Sequence, residues 1–291
     1  MATKDKLETL SHSLWHRSGA KTADQFADWI LANKPQWSKS TWYIYRQSAL
    51  MKLASLDGSR RAITRLKLSQ PPARKPSKRV KRFREPDLKR VLLYLEKISR
   101  SIYATHLGLW LRAGILTGLR PSEWKHCELN GDFLRVKSEK FTDWCGLSEY
   151  RTLSLKEFSN NNLAVIEAMV TLGRLLNADG SYERHMASCA QLLHDACVRL
   201  NLPPYTLYSA RHQAVSNLKA GGLSPSEISA VCGHKTTKGA SGYGRKSSGW
   251  NTENLIHANS EDINRVLIRH RDLIREPVKV KQEYDFLNLI M

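Results

Sequence analysis

A chain of 291 residues with 41% hydrophobic and 25% charged residues can bury one or two ordinary cores, and this excludes a wholly disordered polymer. Its 46 Lys+Arg outnumber 27 Asp+Glu, giving a formal net charge of +19, an excess most often offset by a polyanionic partner such as nucleic acid. No apolar run approaches the roughly 18 residues of a membrane span, and the start of the chain holds no signal-peptide core. A cytosolic or nucleoid-associated protein with no membrane partner is therefore expected.

Residues 1–69 read as short helices forming a small domain with a basic outer face. In "TADQFADWILAN", Thr22 is a natural N-cap, and Phe26, Trp29 and Ile30 follow at helical spacing. "SKSTWYIYRQSALMKLASL" carries Trp42, Tyr45, Ala49, Leu50 and Leu53 on one stripe, opposite Lys39, Arg46 and Lys52. A linker spans 70–84. Between Pro71 and Arg84 it holds seven Lys/Arg, three Pro and no acid. Proline favours an extended chain, so Arg74, Lys75, Lys78, Arg79, Lys81, Arg82 and Arg84 are expected to lie along phosphates as a strap.

From Glu85 to 276 the pattern is mainly helical. "EPDLKRVLLYLEKIS" opens with Pro and acids in its first turn, and "YATHLGLWLRAGILTG" stops at Gly118. "DFLRVKSEK" and "YRTLSL" alternate as strands of a small antiparallel hairpin or meander. "NNLAVIEAMVTLGRLL" and "ERHMASCAQLLHDACVRLNL" return to helix. In "SPSEISAVCG", Ser224, Pro225 and Glu227 form a capping box, with Gly233 as the stop. A last helix is expected over "SEDINRVLIRHRDLI", followed by a tail at 277–291. The cysteines (Cys127, Cys145, Cys189, Cys197, Cys232) form no CxxC pair and read as reduced packing residues. His185, Cys189, His194 and Cys197 suggest a metal site only at first sight, because helical geometry puts His194 on the opposite side from His185.

Three segments carry chemistry together: "TGLRPSEW" with Arg120, "YSARHQA" with Arg211, and "GHKTTKGASGYGR" with His234 and Tyr243. A phosphodiester resists nucleophiles through its own charge. Breaking it without metal needs donors on the non-bridging oxygens, a nucleophile, and an acid for the leaving oxygen. Two Arg, a His, a Tyr and a Lys are one sufficient kit, and no Asp/Glu cluster for a two-metal route is visible. Singly, each residue has a plain alternative: Arg120 capping a helix, Arg211 pairing with Glu227, His234 satisfied in a core, Tyr243 packing.

The conjunction resembles the tyrosine recombinase (phage integrase) family over roughly residues 22 to 275. "TGLRPSE" is similar to the family's first arginine box. "ARH", followed 23 positions later by "GH" and nine further on by Tyr, is similar to its second. The resemblance implies a mainly α fold with a small antiparallel β-sheet, arranged as a two-domain C-shaped DNA clamp. It implies that Arg120 and Arg211 clamp the scissile phosphate, that Tyr243 attacks to give a 3′-phosphotyrosyl link, and that His234 bonds a non-bridging oxygen. Lys140 would be the general acid, with Lys137 the runner-up, and no cofactor, ATP or metal is required. The implied partners are double-stranded DNA with a specific recombination site, a homo-tetramer assembled on DNA from free monomers, and an accessory DNA-bending or directionality factor. The apolar tail would dock on a neighbouring protomer or pack on its own chain.

Two departures stand out. Tyr208 occupies the position where the family often has His, and a phenol is a poor base at neutral pH. The Gly-rich nucleophile segment suggests that Tyr243 swings in and out of register. Integration or excision of a mobile element is the implied setting. A type IB topoisomerase and a non-catalytic DNA binder on the same fold are the rivals.

Overall fold

The computed structural model describes residues 4–73, 80–98, 100–139, 141 and 146–267. Arg74, Lys75, Lys78, Arg79, Lys140, Cys145 and the 277–291 tail all lie outside these residues. The chain divides into two compact units, Met1–Lys78 and Arg79–Met291.

The first unit contains α1 (Lys4–Ser18), α2 (Ala23–Asn33), α3 (Lys39–Ala54) and α4 (Arg60–Leu68). Thr22 caps α2 as its sequence predicts. Gln25 also reaches back to the Thr22 backbone, so orphan amides on both sides of the helix start are satisfied. Leu14, Phe26, Ile30, Trp42, Leu53 and Leu66 form the core. The expected α3 stripe is buried at Trp42, Ala49 and Leu53, while Tyr45 and Leu50 pack at its margin.

The second unit is built from α5 (Glu85–Lys97), α6 (Ile102–Thr117), α7 (Asn160–Ala178), α8 (Tyr182–Arg199), α9 (Leu207–Ala220), α10 (Pro225–Val231), α11 (Thr237–Ser241) and α12 (Ser260–Asn264). One antiparallel sheet joins β1 (Cys127–Asn130), β2 (Phe133–Lys137), β3 (Tyr150–Ser154) and β4 (His257–Ala258), in that order. The mainly α fold with a small antiparallel sheet is thus as expected. β1 and β4 are additions to it. "CELN" is too short to alternate recognisably, and β4 exists only through two pairings with β3. α12 stops at Asn264, within the longer helix that the sequence suggests.

α6 is the central helix, burying Leu107, Trp110, Leu111 and Ala113, and it runs against α9. Gly114 allows the close approach, since a Cβ there would lie 3.0 Å from that of Ala210. Gly118 ends α6 in the left-handed region at φ 69°, where a side chain would be strained. In the sheet, Val136 pairs with Arg151 and Lys137 with Tyr150. Alternation therefore turns Leu134, Val136, Arg151 and Leu153 inward, and Lys137 and Tyr150 to the other face. The capping box at α10 is only half formed. Ser224 accepts from the Glu227 amide, but the Glu227 carboxylate turns away to His257 Nδ1 at 2.7 Å.

His185 on α8 hydrogen-bonds His106 at 2.8 Å, whereas His194 is exposed. Cys127, Cys189, Cys197 and Cys232 are buried free thiols. No helix among the described residues is long and apolar enough to cross a membrane.

Candidate active site

The site is organised around a carboxylate. Arg120 follows Gly118 on a turn held from two sides: its amide donates to Glu123 Oε2 at 2.8 Å, and the Tyr182 hydroxyl donates to the Pro121 carbonyl. Arg120 Nη1 then reaches Glu123 Oε1 at 2.6 Å. Arg151, facing inward from β3, donates to both oxygens, Nη1 to Oε1 at 3.2 Å and Nη2 to Oε2 at 2.9 Å. Arg211 Nη1 stands 3.9 Å from Oε2. Burial alone would raise the pKa of Glu123, but Arg151, Arg211 and Arg120 together outweigh it and hold the carboxyl well below the usual carboxylate range. One carboxylate set among three buried guanidiniums leaves an excess of positive charge, for which a phosphate-type anion is the natural complement.

Arg211 is fully buried on α9. Its Nη1 donates to the Gly118 carbonyl at 2.6 Å, and its Nη2 donates to the Cys232 carbonyl at 2.9 Å and to His234 Nε2 at 3.3 Å. Arg211 therefore does not pair with Glu227, which is engaged by His257. A guanidinium can only donate, so His234 Nε2 accepts and the ring proton is assigned to Nδ1. Burial, reinforced by Arg211, Arg120 and Arg151, pushes the His234 pKa down to about 3, which leaves the ring neutral near pH 7.

Tyr243 lies just beyond α11, where the backbone bends out of the helix. Arg211 Cζ is 5.3 Å from its ring centroid, the His234 ring 5.5 Å and the His212 ring 4.6 Å. Its hydroxyl is 3.3 Å from that of Tyr208. Burial raises the Tyr243 pKa, with Arg211 opposing, so the phenol is protonated at neutral pH. Arg120, Arg211, His234, Tyr243 and Tyr208 thus converge on one place from three separate stretches of chain.

Two glycines of this segment are closely packed rather than open. A Cβ on Gly239 would fall 2.6 Å from His234 Cγ, and one on Gly244 only 1.7 Å from Ser216 Oγ. These two positions are glycine because neighbouring groups occupy the space.

Lys137 is not gathered in. It ends β2 on the sheet face opposite Arg151, pairs with Glu149 at 3.6 Å and lies 5.7 Å from the Tyr150 ring. Lys140 is outside the described residues. Of the basic linker, residues 80–84 run beside α9: Ser209 donates to the Val80 carbonyl at 3.3 Å, and Phe83 stacks on Tyr205 with centroids 4.2 Å apart. Lys81 and Arg82 are exposed, and burial together with the charge of Lys81 pushes the neighbouring His212 down to about 4. Arg84 is instead engaged by Asp87 at 2.7 Å, which also accepts from the Tyr205 hydroxyl.

Sequence reasoning missed Glu123 and Arg151. Glu123 lies inside the first box. Arg151 shares strand parity with Leu153 and Leu155, so an arginine on an otherwise apolar face was a legible signal of a buried charge with a partner.

No protein-family model and no curated protein sequence matches the chain. Among solved structures, it is similar to the XerH site-specific recombinase bound to a difH substrate in a pre-cleavage complex, with TM-score 0.52, 14% identity, and 81% of this chain and 73% of that one covered. It is likewise similar to a lambda integrase dimer bound to a COC′ core site, with TM-score 0.52, 14% identity, and 86% of this chain and 75% of that one covered. At such identity the likeness establishes the fold alone, which this chain shares with those recombinase and integrase structures.

Proposed function

We propose that this chain is a site-specific tyrosine recombinase that cuts and rejoins double-stranded DNA through a covalent Tyr243 intermediate. The observation that carries the proposal is the convergence of Tyr243, Tyr208 and His234 on Arg211, itself tied through Glu123 to Arg120. The recombinase-like fold supports the same reading. The phosphodiester enters the cationic cluster, with Arg120 and Arg211 on its non-bridging oxygens. Being preorganised, they stabilise the charge that develops in the pentacovalent transition state. Tyr243 Oη attacks phosphorus, the bond to the 5′ oxygen breaks, and a 3′-phosphotyrosyl link forms.

Two protons must move. The leaving 5′ oxygen gains one from the general acid, for which Lys140 is the candidate. Tyr243 loses one as its bond to phosphorus forms, and the Tyr208 hydroxyl 3.3 Å away can accept it while its own proton passes to solvent water. His234, neutral in the free protein, gains basicity when the phosphate brings negative charge beside it. Attack by a second 5′-hydroxyl restores a phosphodiester, so strand exchange through a Holliday junction conserves the bond energy.

The wider reading is a two-domain clamp. Unit 1 serves as the core-binding domain and the 70–84 linker as a phosphate strap, and the chain assembles on its recombination site as a tetramer. It would act on nucleoid DNA in the cytoplasm, to integrate or excise a mobile element.

The test compares wild type with Tyr243→Phe on nicked, sheared duplex DNA from the source genome, followed by denaturation. Adduct in wild type alone is expected. Adduct persisting in Tyr243→Phe removes Tyr243 from its role. Sequence-selective binding with no adduct in either protein favours the non-catalytic binder, for which the substitution of His by Tyr208 is the specific feature.

A further inference from the structure

Tyr243 sits on a stretch with little secondary structure of its own. α11 has five residues, and only a short 3₁₀ turn at Lys246–Ser248 follows. α9 supplies what the segment lacks. Lys219 Nζ donates to the carbonyls of Ala240 at 3.1 Å, Tyr243 at 2.9 Å and Gly244 at 2.9 Å. Gly244 is pressed against α9 so closely that a Cβ would also lie 2.8 Å from the His212 carbonyl oxygen. Beyond it, Gln213 Nε2 donates to the Ser248 carbonyl at 2.9 Å, and Asn217 Oδ1 accepts from the Trp250 amide at 3.1 Å.

The Lys219 contacts stand out chemically. A protonated amine has three N–H bonds, and here three main-chain carbonyls answer them one for one. No carboxylate pairs with Lys219 among the described residues, in contrast with the ion pairs of Arg84, Arg120 and Arg151. One of the carbonyls lies before the tyrosine, one is its own and one follows it. A solvated surface lysine would lose side-chain entropy in such an arrangement for no gain.

We propose that Lys219 is a positioning residue that latches the main chain on both sides of Tyr243 to α9, the helix that also bears Arg211. Nucleophile and phosphate clamp then keep a fixed mutual geometry. The proposal rests on Tyr243 being the nucleophile. Its physical sense is that a displacement of about 1 Å in a reacting group costs on the order of 100-fold in rate.

The test uses the full chain carrying Lys219→Met, which keeps an unbranched side chain and removes every donor. Hydrogen exchange without DNA is read first. Loss of charge-assisted bonds should speed exchange across 240–246 by about tenfold, with the rest of 80–267 unchanged. Adduct formation on nicked, sheared source-genome DNA is read second. It should slow at least about tenfold with noncovalent DNA affinity unchanged, and Lys219→Arg, which retains charge and donors, should recover part of the rate. Unchanged exchange at 240–246 overturns the latch. Faster exchange throughout the protein also overturns it, by making Lys219 a general stability residue, as does a normal adduct rate despite a loosened segment. If wild type itself forms no Tyr243-dependent adduct, the nucleophile reading has failed and the positioning role falls with it, a result distinguishable by the wild-type lane alone.

Discussion

Glu123→Gln tests the electrostatic hub of the site. Glu123 accepts four hydrogen bonds, from the Arg120 amide, Arg120 Nη1, Arg151 Nη1 and Arg151 Nη2. Glutamine keeps one acceptor oxygen and turns an NH₂ donor toward groups that can only donate. It also removes the carboxylate that pairs with three buried guanidiniums. Arg211 at 3.9 Å alone contributes an attraction of about 4 kcal/mol at an effective dielectric of 20, before desolvation is set against it. Breaking a buried ionic arrangement by removing one partner costs about 3–5 kcal/mol. For a unit of this size that is a fall in Tm of roughly 6–20 °C. The pH dependence gives a second, independent signature. The folded pKa of Glu123 is depressed, so its contribution is present above the unfolded value of about 4.3 and is lost as pH falls below it. The stability gap between wild type and Glu123→Gln should therefore narrow by about 1.4 kcal/mol per pH unit below about pH 4. Thermal unfolding followed by circular dichroism at pH 7, 5, 4 and 3.5 reads both. A Tm within about 2 °C of wild type at pH 7, or a gap that does not change with pH, would refute the assignment of Glu123 as the charge hub.

Three further outcomes are expected. Gly244→Ala drives a methyl into Ser216 Oγ and the His212 carbonyl, so adduct formation should fall at least about tenfold while DNA affinity, measured by fluorescence anisotropy, stays near wild type. His257 is held between Glu227 at 2.7 Å and Glu157 at 3.3 Å; burial opposes its charge, but the two carboxylates outweigh burial and raise its pKa. Its stabilising contribution is thus fully present below about pH 6.5 and is lost as pH rises through the folded value, so His257→Gln should be less stable than wild type in urea at pH 5.5, with the deficit shrinking by pH 9. Trp42→Ala empties the core of the first unit and should cost about 3–5 kcal/mol, with faster hydrogen exchange across 4–73 and none of that change across 80–267.

Local signals that need no distant partner were legible in the chain. Thr22 caps α2 because an oxygen near an orphan amide acts at short range, and Gly118 stops α6 because only a residue without Cβ takes that turn cheaply. The alternation of "FLRVK" and "YRTLS" set the β2–β3 pair, and the family resemblance carried by Arg120, Arg211, His234 and Tyr243 pointed to the candidate site. Tertiary structure decided whatever depends on a group far away in the chain. β4 is a strand only because β3 offers it hydrogen bonds, and Glu227 leaves its own cap because His257 arrives beside it. Gly239 and Gly244, read along the chain as freedom, are filled space once His234 and Ser216 stand against them. Arg151 and Lys219 belong to the site for the same reason. A buried charge is tolerable only where the fold brings its partners, and those partners are a carboxylate 28 residues away and three carbonyls 21 to 25 residues away.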